Sequence, residues 1–96
     1  MPVSFEWDAD KAALNAAKHG VTFDEASTVF SDSLAVIFED EEHSVDELRE
    51  IIIGHSVIQR LLLVSFTERG EDVVRIISAR KATKKERKDY EEGTCP

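Results

Sequence analysis

The sequence predicts an α+β fold, and three observations carry that prediction. Two helix-favouring stretches occupy the first third of the chain, β-branched runs fill the middle, and a capped, highly charged helix closes it. Strands that follow one another without intervening helices favour a meander. The expected order is β-α-α-β-β-β-β-α: a small antiparallel sheet with an N-terminal helical hairpin and a C-terminal helix. With 96 residues there is room for one domain, residues 1–96, with a thin core and a frayed tail at 93–96.

Phe5, Glu6 and Trp7 form a short aromatic strand, stopped by Asp8 as the N-cap of a helix over Ala9–His19. Gly20 suits the left-handed residue that ends such a helix. Thr22 and Glu25 have the spacing of a capping box, with Val21 placed to staple onto Ala26. Ala26, Val29 and Phe30 then follow helical spacing up to Ser31 and Asp32. Leu34–Phe38 reads as a strand, followed by the acidic run Glu39–Glu42 as a solvated loop. Glu50–Ile58 is β-branched and contains Gly54, the residue type of a bulge. Arg60–Glu68 and Asp72–Ala79 are two more strands, joined by a hairpin across Arg69–Glu71. A last helix runs from Lys84 to about Glu92 and ends at Gly93.

The net charge of −8 argues against non-specific nucleic-acid affinity, which phosphate neutralisation drives. The charge is unevenly placed: residues 1–50 hold 13 acids against 3 Lys or Arg, whereas residues 51–96 hold 7 against 9. A dipolar chain of this kind can draw a polyanion to one face and a basic protein to the other. Cys95, the single cysteine, can close no internal disulfide, which fits a reducing cytoplasm. The first residues carry no signal-peptide pattern, and Ile51–Ile53 and Leu61–Val64 are too short to span a bilayer. A cytoplasmic protein without membrane contact is the expectation.

Chemistry concentrates in Arg75–Tyr90. Six of the 12 Lys and Arg residues fall in Arg80–Lys88, where a strand pattern becomes a helix pattern. Thr83 and Glu86 form another capping box, yet Lys84 and Lys85 sit in the same first turn, beside the positive end of the helix dipole. Each such charge costs roughly 0.3–1 kcal/mol, and a bound anion such as phosphate offsets it. No nucleophile–base pairing, phosphate loop or dinucleotide fingerprint is present, and His19, His43, His55 and Cys95 lack zinc-ligand spacing. No metal and no cofactor are expected. The remaining polar candidates are His19, His43, Glu47, Arg49, Arg75, Arg80 and Tyr90. Cleaving RNA requires a group that takes the 2′-hydroxyl proton, one that protonates the leaving oxygen, and cations that hold charge on phosphorus. Arginine suits the last task, and His or Glu the first two. Structural explanations compete: His19 gains from its place at a helix C-terminus, Glu47 from a cap on Ser44, and Tyr90 from packing with its hydroxyl in water. Arg75 and Arg80 differ by an odd number of residues, so an unbroken strand puts them on opposite faces, and only a bend near Ala79 reunites them.

One pattern gathers these residues. Phe5–Asp8, Asn15, Lys18–Phe23, Glu25, Ala26, His43, Ser44, Glu47, Arg49, Ile53, Gly54 and Arg75–Ala82, continued by Glu86, Arg87 and Tyr90, resemble the BrnT toxins of bacterial type II toxin–antitoxin systems. The resemblance spans residues 5–91 and implies a RelE-like fold and a ribonuclease that halts growth by cutting RNA and stopping translation. It further implies a BrnA-like ribbon-helix-helix antitoxin as partner, operator DNA contacted only through that antitoxin, and a dimer of heterodimers. On this basis Arg80 and Arg49 are expected to stabilise phosphoryl charge, His19 or Glu47 to handle protons, and Lys81, Lys84 and Arg75 to hold flanking RNA phosphates. The acids of Glu39–Glu42, next to His43, depart from the more basic character of the family and keep a second expectation open. Under that expectation the chain is a catalytically degenerate binding partner and corepressor of the antitoxin.

Overall fold

The computed structural model describes residues 3–45 and 47–93; the expected tail beyond Gly93, with Cys95, lies outside them. The chain runs β1 (Ser4–Glu6), α1 (Ala9–His19), α2 (Phe23–Thr28), β2 (Val36–Glu39), β3 (Glu50–His55), β4 (Leu61–Glu68), β5 (Val73–Lys81) and α3 (Lys84–Glu92). Single 3₁₀ turns follow α2 at Val29–Ser31 and β2 at Glu41–His43.

The helix ends follow the caps. Asp8 accepts from the amides of Asp10 and Lys11 at 2.9 and 3.1 Å, and the Lys11 amide above all lowers its carboxyl pKa. Gly20 closes α1 in the left-handed conformation at φ 70°, its amide donating to the Ala16 carbonyl. Thr22 caps α2 by accepting from the Glu25 amide at 3.1 Å, but the reciprocal half of that capping box is not made. The Glu25 carboxylate is held instead by the Arg60 guanidinium through Nε and Nη2, and by the Ser56 hydroxyl at 2.7 Å. A charged planar fork outcompetes a neutral amide for a carboxylate. Arg60 lowers the Glu25 pKa in turn, and it also donates to the Gly20 carbonyl at 3.0 Å. One ion pair thereby ties the helical hairpin to the β3–β4 turn.

The five strands lie in the order β1-β5-β4-β3-β2. Strands β2 to β5 form an antiparallel meander, but β1 pairs parallel with β5, so the sheet is mixed rather than antiparallel. Hairpin connections force antiparallel neighbours; β1 is joined to the sheet through two helices and carries no such constraint. Phe5 fixes it, with its ring 5.2 Å from Phe30, which in turn meets Phe66 edge-on at 4.9 Å. Strand β2 begins at Val36 rather than Leu34. Strand β3 stops at His55, short of Ile58, because Ser56–Gln59 turn the chain: the Gln59 amide reaches the Ser56 carbonyl at 2.9 Å, with Gln59 at φ 65°. Gly54 makes no bulge, since pairing runs unbroken from Glu50 to His55. It permits close approach instead: a Cβ there would lie 3.1 Å from atoms of Val29, Asp32 and Ala35. The irregularity falls on β5, where Ser65 pairs with Ser78 but Phe66 pairs with Ile76, leaving Ile77 as an extra residue.

Helices α1 and α2 cover one sheet face. Val21, Phe23, Ala26 and Val29 pack there on Ile52, Leu62, Val64, Phe66, Ile76 and Ala79. Asn15, buried in this layer, donates to the carbonyls of Val21 (2.9 Å) and Ala79 (2.8 Å) and accepts from the Ala79 amide at 3.1 Å. It therefore occupies both backbone groups of Ala79, next to the bulge. On the opposite face α3 covers one end, setting Ala82 and Tyr90 against Ile53, Leu61 and Leu63. The Tyr90 hydroxyl is not left in water: it donates to Asp32 Oδ2 at 2.7 Å and lies 3.1 Å from His55 Nδ1. Asp32 also accepts from the His55 amide at 2.8 Å. Burial would raise the Asp32 pKa, but the bonds from His55, Tyr90 and Leu34 outweigh it and leave that carboxyl lowered. Burial and the neighbouring Asp32 carboxylate together push Tyr90 up to about 12.

Two predictions follow from these contacts. Asn15→Ala strands the buried polar groups of Ala79 and the Val21 carbonyl, and urea unfolding should show a loss of about 2–4 kcal/mol. A loss below ~1 kcal/mol would remove Asn15 as the pin of β5. Tyr90 is the single tyrosine, so absorbance near 295 nm reports it alone. Its native titration should centre near 12, and Asp32→Asn should lower it only part of the way, because burial, the larger cause, remains. Because the folded value is raised, the unfolded chain binds fewer protons between those pH values, so this contribution is whole below pH 10 and lost as pH climbs to 12.

Candidate phosphate-binding groove and family membership

The extra residue at Ile77 resets the alternation of β5. Arg75 pairs with Thr67 and Arg80 with Leu63, two residues of one parity on unbroken β4, so both arginines face the side away from α1 and α2. The bend required to reunite them is thus present, two residues before Ala79. Lys81 pairs with Leu62 and faces the helical layer, where its charge acts on Glu25, so it does not join Arg80.

The part of this face that α3 leaves open forms a groove of about 300 Å³, with Ile51, Leu63, Ser65 and Ser78 in its lining. Arg80 enters it from β5; Arg49, His43 and Asp40 enter from the loop between β2 and β3. That loop is closed at its base, where the Asp40 amide donates to the Arg49 carbonyl at 2.9 Å. Ser44 fastens it from within: its hydroxyl donates to the Asp40 carbonyl at 2.6 Å and accepts from the Arg49 amide at 2.9 Å. Ser44 thus serves the Arg49 amide rather than a capping box with Glu47.

Arg80 is held by Glu86 in a bidentate pair, Nη1 to Oε1 at 2.8 Å and Nη2 to Oε2 at 2.9 Å, with a further bond to the Lys81 carbonyl at 3.2 Å. Glu86 also completes the α3 capping box, accepting from the Thr83 amide at 2.8 Å. Arg80 lowers the Glu86 pKa, and Glu86 raises that of Arg80. Those contacts use three of the five guanidinium N–H groups, and the others remain for an anion. Arg49 Nε is buried without a hydrogen-bond partner among the described residues; Glu47 Oε1, at 4.0 Å, is beyond bonding distance. A buried N–H left unmade costs roughly 1–3 kcal/mol.

The other expected residues are more scattered. Glu47 lines a neighbouring depression with His43 and Arg49, and lies 3.8 Å from Arg69. His19 lies with Lys11 and Lys18 in a separate depression, joined to the groove through the shared walls Ile77 and Ser78. Arg75 is paired to Glu6 at 2.8 Å, away from the groove lining. Lys84 is exposed in the first turn of α3. Sequence reasoning missed the hold of Glu86 on Arg80, and the Asp40–His43 contact in which His43 Nδ1 lies 2.9 Å from Asp40 Oδ2. The three-residue spacing within an acidic run was the available signal, hidden by its reading as a solvated loop. Among the described residues no three His, Cys, Asp or Glu converge as metal ligands, and no helix is long and apolar enough to cross a membrane.

Comparison with known proteins places the chain in one family. Residues 7–86 match the family model described as the ribonuclease toxin BrnT of type II toxin–antitoxin systems. The crystal structure of the Brucella abortus ribonuclease toxin BrnT, at 1.1 Å resolution, superposes with a TM-score of 0.67 at 26% identity. The match covers 85% of this chain and 99% of the Brucella chain. No curated protein matches the chain. The mixed five-stranded sheet, its three helices and the matched sequence agree, and the chain belongs to the BrnT family of ribonuclease toxins of type II toxin–antitoxin systems.

Proposed function

We propose that this chain is a metal-independent endoribonuclease toxin of RelE-like kind that cleaves RNA in the cytoplasm and inhibits translation. The observation that carries the reading is the convergence of Arg49 and Arg80, 31 positions apart in sequence, on one open groove, with the Arg49 Nε unsatisfied. Two guanidinium groups facing one concavity match the charge that builds on a phosphoryl group under attack. Glu86 fixes the Arg80 fork before substrate arrives, so little side-chain freedom is lost on binding. Glu47 stands next to the groove as a proton acceptor and His19 beyond its far wall, while Lys84, exposed at the start of α3, and Arg75, paired to Glu6 on β5, would meet flanking RNA phosphates. A ribbon-helix-helix antitoxin neutralises the toxin as a dimer of heterodimers, and operator DNA is contacted through that antitoxin. The acidic half of the chain suits a basic partner.

The bidentate Glu86 clamp favours a second reading, in which Arg80 is a structural ion pair and the chain a corepressor without catalysis. Inducible expression separates the two. Wild-type chain should arrest growth with loss of intact RNA, and the purified chain should cleave RNA equally well in excess chelator. Arg80→Ala should reduce cleavage ~10²–10³-fold while keeping the fold, as expected for loss of one preorganised transition-state donor. Unimpaired growth with soluble wild-type chain, or full toxicity of Arg80→Ala, would leave the ribonuclease reading without its anchor.

A further inference from the structure

We infer that His43, held by Asp40, is the proton-transfer group of this groove; the inference rests on the ribonuclease reading and adds a residue to that site. Four observations carry it. His43 lines the groove together with Arg49 and Arg80, and the adjoining depression together with Glu47 and Arg49, so it stands where the two concavities meet. Its Nδ1 is 2.9 Å from Asp40 Oδ2, and a carboxylate only accepts hydrogen bonds, so the proton of the neutral ring sits on Nδ1. Nε2 then carries the lone pair. Asp40 is itself fixed, because its amide bonds the Arg49 carbonyl and its carbonyl accepts from Ser44, so the imidazole is oriented by a braced carboxylate. The His43 side chain is 60% exposed while that of Asp40 is 16% exposed, which leaves the ring open to a ligand and its anchor sheltered.

Other histidines lack this combination. His55 is engaged with Tyr90 and Asp32 beneath α3, and His19 lies outside the groove lining. In the reaction, His43 Nε2 takes the proton of a ribose 2′-hydroxyl. The 2′-oxygen forms a bond to the adjacent phosphorus as the bond from phosphorus to the 5′-oxygen breaks. The leaving 5′-oxygen takes a proton from water, and the products are a 2′,3′-cyclic phosphate and a 5′-hydroxyl. Asp40 is a positioning residue that touches the imidazole and not the RNA.

The test uses the full chain, a mixed-sequence fluorescent RNA and the same oligomer in 2′-deoxy form. His43→Ala should fold as wild type, given its exposure, and cleave RNA ~10²–10⁴-fold more slowly. Added imidazole should restore part of that rate, since the vacated position is open to solvent. Asp40→Asn should lower kcat with KM nearly unchanged and gain nothing from imidazole, because the ring is still present but misdirected. Cleavage by His43→Ala at the wild-type rate, or a deficit that imidazole leaves untouched, would overturn the assignment while the ribonuclease reading stands. Wild-type chain inert on RNA, or equally active on the deoxy oligomer, would remove the ribonuclease reading and this inference with it.

Discussion

The bulge at Ile77 is the constraint on which the groove depends. A strand alternates its side chains strictly, so a single extra residue exchanges the faces of everything beyond it. Without it, Arg80 would point into the helical layer occupied by Val21, Phe23 and Leu62, where a guanidinium has no solvent and no partner. With it, Arg80 shares a face with Leu63, and Ala79, small enough to sit under Asn15, takes the inward place. Asn15 stabilises the irregular segment by bonding both backbone groups of Ala79, which the helical layer has removed from water. Helix α1 thereby sets the position of a side chain on the opposite face of the sheet.

Glu86 couples local helix chemistry to the same site. It caps α3 through Thr83 and fixes Arg80 through two parallel bonds, so the start of the helix and the direction of the guanidinium form one unit. Far along α3, Tyr90 reaches Asp32, which also receives the His55 amide at the edge of β3. The helix buries no residue fully, so its docking relies on these polar ties and the partial burial of Ala82 and Tyr90 more than on an apolar stripe. Such a helix is held at its two ends, and its first turn, through Glu86, holds Arg80 of the groove.

What was legible in the sequence is what rests on local chemistry. The helices were marked by Asp8, Gly20, Thr22, Thr83 and Gly93, each acting within a few residues of itself. The strands showed through their β-branched runs. Pairing partners at long range were not legible. Nothing in Phe5 and Glu6 says that β1 lies parallel to β5, because that direction follows from a crossover through two helices. Glu25 looked like half of a capping box, and only the fold brings Arg60, 35 positions away, to compete for it. The odd separation of Arg75 and Arg80 was legible as a contradiction, and its resolution required the register of β4. In the groove, Arg49 and Arg80 were recognisable by type and motif. His43 was among the polar candidates, but its orientation by Asp40 depends on the turn that Ser44 closes.

The acidity of the chain bears on RNA binding through its placement more than its total. Glu39 and Glu50 face each other directly across β2 and β3, and burial, then Glu68 and Glu39, raise the Glu50 pKa. These three acids belong to the face that α1 and α2 cover, as the pairing of Glu50 with Phe66 shows, so the sheet stands between them and the groove. At physiological ionic strength solvent-exposed charges such as Glu39 and Glu68 are largely screened beyond about 8–10 Å, and burial already favours the neutral form of Glu50. A phosphate in the groove therefore responds chiefly to Arg49 and Arg80 and to the carboxylates of Asp40, Glu86 and, beside Arg49, Glu47. Asp40 is already occupied by His43 and Glu86 by Arg80 and the Thr83 amide, and Glu47 lies between Arg49 and Arg69, which moderates their repulsion. In the proposed function a phosphoryl group is met at close range by the groove, while the outer acidic surface gives no general attraction to a long polyanion. In the proposed function, selectivity for a cleavable linkage would then come from the groove itself and not from the charge of the whole chain.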